Sequence, residues 1–331
     1  MRHVAALTVL FSHNFALNGL HEPVLRSWDT MGFFSVVVFF TISGYLMPIS
    51  YNSSEGFIHF IIKRIRRLLP AIVICSFIMI FIVSPIFSNK SISSNNFIKE
   101  SILLFIQHCA FIFNNPIGIF YDFKVPGAMN GSLWTIPIEI VCYLILATSL
   151  SFSNSYKTIL VLLLLSLIGC LITIYNEVGF VFYGVPIKYL SMFGVAFSTG
   201  ALLSMTKTKW HPYRYGILII SIIVILSAQT GLELNSICLA AAAFMVIFFG
   251  TNIKLSSKGS FDISYGIYIY AFPTQQIIIN KVSDDFTTSL ILSTIITIIL
   301  ATLSFLFVEK PFLDRNKSAG RKTNLPAEIS T

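Results

Sequence analysis

The chain has 331 residues, of which 55% are hydrophobic and only 11% charged, and its mean hydropathy is +0.82. Apolar surface on that scale cannot be hidden in one water-soluble core, so the composition excludes a soluble globular protein and indicates a polytopic membrane protein of the all-α class. The net charge of +8 falls mostly between apolar runs and towards the C-terminus, where basic residues orient helices rather than bind nucleic acid.

Ten apolar runs follow one another, at about 4–20, 31–50, 68–87, 132–150, 158–175, 186–205, 213–230, 234–250, 262–280 and 288–307. Each is long enough to cross a hydrocarbon core of roughly 30 Å as a helix, and none alternates as a barrel strand would. The first is read as a retained helix rather than a cleaved signal. It carries His13 and Asn14, and no small-residue cleavage site separates it from the next run.

The segment 97–113 contains Lys99, Glu100, Gln107 and His108, and its uninterrupted apolar part is too short to span. Charge decides its topology. If it does not cross and the N-terminus is cytoplasmic, 16 of the 22 Lys and Arg residues lie inside; if it crosses, only 8 do. The expectation is therefore about ten transmembrane helices with both termini cytoplasmic. It includes a membrane domain over 1–315, an external region at 89–131 holding an interfacial or re-entrant helix, and a short cytoplasmic tail at 316–331. Four of the five cysteines sit inside apolar runs, and neither a disulfide framework nor a metal site is expected. No internal repeat or matched pair of broken helices marks an inverted-repeat transporter.

Ionisable residues inside such runs are costly and mark function. Arg2 and His13 are eleven residues apart, which returns to nearly the same helix face roughly 16 Å further along. Glu139 lies within the fourth run. Counting from the ends of their runs puts His13 and Glu139 at similar depth, where they could form a His–carboxylate pair that fixes the imidazole tautomer. The plainer alternative is two polar groups satisfying each other in a bundle. In KRIRRLLP, Arg64 and Arg67 are three apart on one face and could hold a phosphorylated ligand; topogenic charge is the competing explanation.

These pieces resemble the acyltransferase 3 family of membrane-bound O-acyltransferases of bacterial surface polysaccharides, in its stand-alone form. Arg2, Ala5, Val9 and His13 are similar to its opening element, FFTISGY with Ser43 and Gly44 to its second-helix signature, and Arg64, Arg67 and Pro70 to its R-x-x-R-L-x-P element. SLWTIPIE resembles its W-S-L-x-x-E element with Thr135 for Ser, and SYGIYIYAFP and VEKPF resemble its last two pieces, with Ala271 where many members have a histidine.

The resemblance implies an enzyme of the bacterial cytoplasmic membrane that moves an acyl group to a hydroxyl of a surface or lipid-linked glycan. The expected co-substrate is acetyl-CoA, with its phosphates at Arg64 and Arg67, and also Arg2. His13, supported by Glu139, would act as general base or transient acyl carrier. Trp134, whose ring could stack on a sugar, and Ser43 are the expected acceptor contacts. A transporter or flippase of a glycan or small anion is the alternative.

Overall fold

The computed structural model describes residues 1–25, 29–89, 95–116, 118–175, 179–227, 232–252 and 261–313. The bundle begins with α1 (Arg2–Leu17), α2 (Met31–Asn52) and a long α3 (Phe57–Phe77), which continues through a π-helical stretch at Ile78–Val83 to Phe87. Then come α4 (Asn95–Cys109), α5 (Thr135–Phe152), α6 (Tyr156–Tyr175), α7 (Ile187–Met205), α8 (Arg214–Ser227), α9 (Leu232–Asn252), α10 (Ser264–Lys281) and α11 (Phe286–Ser304). The only described strands form two short hairpins, β1 (Val24–Leu25) with β2 (Asp29–Thr30) and β3 (Val181–Phe182) with β4 (Val185–Pro186).

Each of the ten apolar runs coincides with a described helix. Seven of them, containing α2, α3, α5, α6, α7, α8 and α11, are long and apolar enough to cross a membrane. Of the rest, α1 has 16 residues, the described apolar part of α9 is Ser236–Asn252, and α10 carries Gln275, Gln276, Asn280 and Lys281. The low hydropathy of α10 has a structural cause. Nearly its whole length is buried, so its partners are protein groups rather than lipid, and polar side chains there can be satisfied internally.

α2 and α7 form a close crossing. A Cβ at Gly44 would run into the Phe197 carbonyl, and one at Gly200 into that of Thr41. Small residues let the two backbones approach directly, the usual basis of helix association in lipid. Gly44→Ala should lower stability by about 1–3 kcal/mol through overpacking and push Ser43 out of register. Thermal unfolding in detergent checks this against Gly216→Ala, where a Cβ meets nothing; equal melting of the two variants would contradict the crossing.

α4 does not run through the bundle. It descends alongside α3, with Phe105 against Phe77 and Phe81 and the His108 Nδ1 3.0 Å from the Ser76 hydroxyl. The chain then reverses at Phe111, whose φ is +61°, and climbs back until the Phe120 N–H donates to the Phe87 carbonyl at 2.9 Å. The segment after α4 thus comes back beside the end of α3. His108 stabilises the turn, its Nε2 lying 2.9 Å from the Asn114 carbonyl.

From there the chain runs down α10 as a strap. The Lys124 N–H donates to Asn280, Gln276 donates to the carbonyls of Val125 and Ala128, and Asn130 donates to the carbonyl of Ile269. Much of the 89–131 region is therefore packed into the bundle, and α5 starts far along α10, where Thr135 and Tyr268 share a 2.6 Å hydrogen bond. The expected tail at 316–331 lies outside the described residues.

Candidate active site

α1 and α10 lie side by side and parallel. Gln275, fully buried, donates to the Leu10 carbonyl at 2.8 Å and to Asn14 at 3.3 Å. At their starts, Arg2 and Arg67 converge on one carboxylate. Asp262 Oδ2 is 3.0 Å from the Arg67 Nη2 and 3.8 Å from the Arg2 Nη1, while its other oxygen accepts from the Ser264 hydroxyl. Asp262 escaped sequence reasoning, although a carboxylate two residues before SYGIYIY was the available signal. Arg64 lies apart from this pair. Its guanidinium donates to Ser50 at 3.0 Å, contacts the Met47 sulfur at 3.7 Å and stacks over Phe60.

Beyond the two arginines is a small cavity of about 30 Å³, bordered by Arg2, Phe39, Thr135, Glu139, Tyr265 and Tyr268. Glu139 is held on its far side. Its Oε1 accepts from the Ser43 hydroxyl at 2.8 Å and from the Tyr143 hydroxyl. Tyr143, four residues on and so on the same helix face, was also unremarked in the sequence. Tyr268 is fixed by Thr135, and Tyr265 donates to the Leu68 carbonyl at 3.1 Å.

The expected His13–Glu139 hydrogen bond does not form. His13 meets Phe272 edge-on, with ring centroids 5.2 Å apart, and its buried Nδ1 has no hydrogen-bond partner. Glu139 instead faces the cavity shared with Tyr265, seven residues before Phe272 on α10, a separation of about 10 Å along the axis. The physical reason is the strap. Because residues 124–134 descend along α10 before the helix begins, α5 starts well inside the bundle, and counting from the end of the apolar run placed Glu139 too near the outer side.

Ser43 is buried and serves Glu139. Trp134 is 37% exposed and packs edge-on against Tyr189 at 4.9 Å. Along α1 and α10 the structure thus places Arg2 and Arg67 around Asp262, a small carboxylate- and tyrosine-lined cavity, and, further along α1, an unpartnered imidazole nitrogen.

Residues 1–308 match the family model described as an acyltransferase domain, that of acyltransferase 3. The chain belongs to the acyltransferase 3 family. It is 34% identical to an O-acetyl transferase of Shigella phage Sf6 over 95% of both chains. It is also similar to the peptidoglycan O-acetyltransferase OatA of Listeria monocytogenes, at 26% identity over 86% of this chain and 52% of that one. A putative peptidoglycan O-acetyltransferase, YrhL of Bacillus subtilis, is 25% identical over 94% of this chain and 54% of its own length. No solved structure matches. The protein is accordingly an acyl-transferring enzyme rather than a transporter, and its apolar helices make it a multi-pass membrane protein.

Proposed function

We propose that the protein transfers an acetyl group from acetyl-CoA to a hydroxyl of a cell-surface or lipid-linked glycan. The observation that carries this reading is the sequence of groups along α1 and α10: two arginines around one carboxylate, then the cavity with Glu139, then the unpartnered Nδ1 of His13. Paired guanidinium groups suit phosphates, so the donor's phosphates would take the place of Asp262 between Arg2 and Arg67. The names of the similar proteins support O-acetylation and a glycan acceptor.

In the transfer step the acceptor hydroxyl oxygen bonds to the thioester carbonyl carbon as the carbon–sulfur bond breaks. His13 takes the hydroxyl proton and returns it to the departing thiolate. Glu139, fixed by Ser43 and Tyr143, places negative charge beside the donor end of the path and balances Arg2. Trp134 and the external part of the 89–131 region are the proposed acceptor contacts. The deciding experiment incubates purified protein with radiolabelled acetyl-CoA and a bacterial glycan; no label on the glycan would overturn the reading.

The proposed topology is ten spans with both termini cytoplasmic, in the bacterial cytoplasmic membrane. It rests on the basic-residue count and on the return of α4 to the end of α3. A cysteine at Asn96 should be labelled by an impermeant thiol reagent added outside the cytoplasmic membrane. Labelling only from the cytoplasm would reverse the orientation.

A further inference from the structure

One turn of α1, from Leu10 to Asn14, is tied by side-chain hydrogen bonds to three other helices. From α10, the Gln275 amide nitrogen donates to the Leu10 carbonyl at 2.8 Å and to the Asn14 Oδ1 at 3.3 Å. Asn14 carries the connection onward, its own amide nitrogen donating at 3.3 Å to the carbonyl of Phe286 at the start of α11. Towards α2, Ser12 accepts from the Gly32 N–H at 3.0 Å and donates to Glu22. Gly32 leaves room for that contact, since a Cβ there would come within 3.1 Å of the Ser12 Oγ and Cβ. His13 projects from the middle of this turn.

Gln275 and Asn14 are both fully buried. Their amide orientations support each other. The Phe286 carbonyl takes the Asn14 nitrogen, which turns the Asn14 oxygen towards Gln275, and Gln275 therefore meets two acceptors with its nitrogen. Its own Oε1 is left buried and without a hydrogen-bond partner. Such an orphaned acceptor costs roughly 1–3 kcal/mol, and an apolar side chain of similar length would fill the space without that cost. What the amide adds is geometry. Bonds to Leu10 and Asn14, three residues before His13 and one after it, fix both the register and the rotation of α1 against α10, and with them the direction of the imidazole.

We propose that Gln275 is a positioning residue for acyl transfer, holding the Leu10–Asn14 turn so that His13 meets the acceptor hydroxyl. Asn14 is the other half of the same clamp. Gln275 touches neither donor nor acceptor and acts through His13, so the inference rests on the reading of His13 as general base.

The test is steady-state transfer by the purified full chain, expressed per mole of folded protein. Gln275→Met keeps the length of the side chain and removes the amide. It should lower kcat by about 10- to 100-fold, the scale for a catalytic group misplaced by about 1 Å, with the KM for acetyl-CoA unchanged and the melting temperature close to wild type. Asn14→Leu should do the same from the other end of the clamp, and it decides the matter if Gln275→Met does not fold. In a His13→Ala background neither substitution should lower the residual rate further, because a residue acting only through His13 has nothing left to act on. Wild-type kcat in either folded variant, an equal loss with and without His13, or loss of the fold in both variants would make the clamp purely structural and overturn the proposal. Full activity in His13→Ala is a separate failure, of the general-base reading itself, and removes the inference with it whatever Gln275→Met does.

Discussion

His13→Ala should reduce acetyl transfer to the glycan by about 10²–10⁴-fold, the range for losing a positioned general base, while leaving acetyl-CoA binding close to wild type. The separation follows from the geometry. Arg2 and Arg67 hold Asp262 at the start of α1 and α10, and His13 lies eleven residues, roughly 16 Å, further along. A buried nitrogen with no partner costs free energy in the resting enzyme, which is consistent with a group whose partner is the substrate. Isothermal titration with acetyl-CoA and a transfer assay on the same preparation check both halves. Full activity in the variant would remove His13 from the mechanism. Omitting the acceptor separates two chemistries: label retained on wild-type protein and lost in His13→Ala indicates an acyl-histidine, whereas unlabelled protein indicates direct transfer.

Much of this arrangement was legible in the sequence because composition and charge act over whole segments. The apolar runs read from hydropathy coincide with described helices, seven of them long and apolar enough to cross a membrane. Arg2 and His13 do lie along one path because a helix has a fixed rise. Partnerships between distant segments were not legible. The pairing of Arg2 and Arg67 through Asp262 joins three places in the chain, and no local periodicity records it. The depth of Glu139 was misjudged for a related reason. Hydropathy marks where apolar residues lie, but whether a helix begins at the bilayer surface or after an extended strap depends on hydrogen bonds such as those from Gln276 to Val125 and Ala128.

The proposed donor site at Arg2 and Arg67 supplies a second large effect. Arg67→Gln should raise the KM for acetyl-CoA by about 10- to 100-fold, since a hydrogen bond to a charged group contributes roughly 1.5–3 kcal/mol. It should also destabilise the resting protein, because Asp262 then loses its 3.0 Å guanidinium partner and keeps the longer contacts to Arg2 at 3.8 Å and His3 at 3.7 Å beside the Ser264 hydrogen bond, which leaves a half-buried carboxylate under-compensated. The double variant Arg67→Gln with Asp262→Asn separates the two roles. Removing the carboxylate together with its partner should restore much of the melting temperature, because no unpaired charge remains. It should not restore the donor KM, because the phosphate still lacks its guanidinium fork. If the double variant regained both, Arg67 would be a structural counter-ion to Asp262, and the donor's phosphates would have to bind elsewhere.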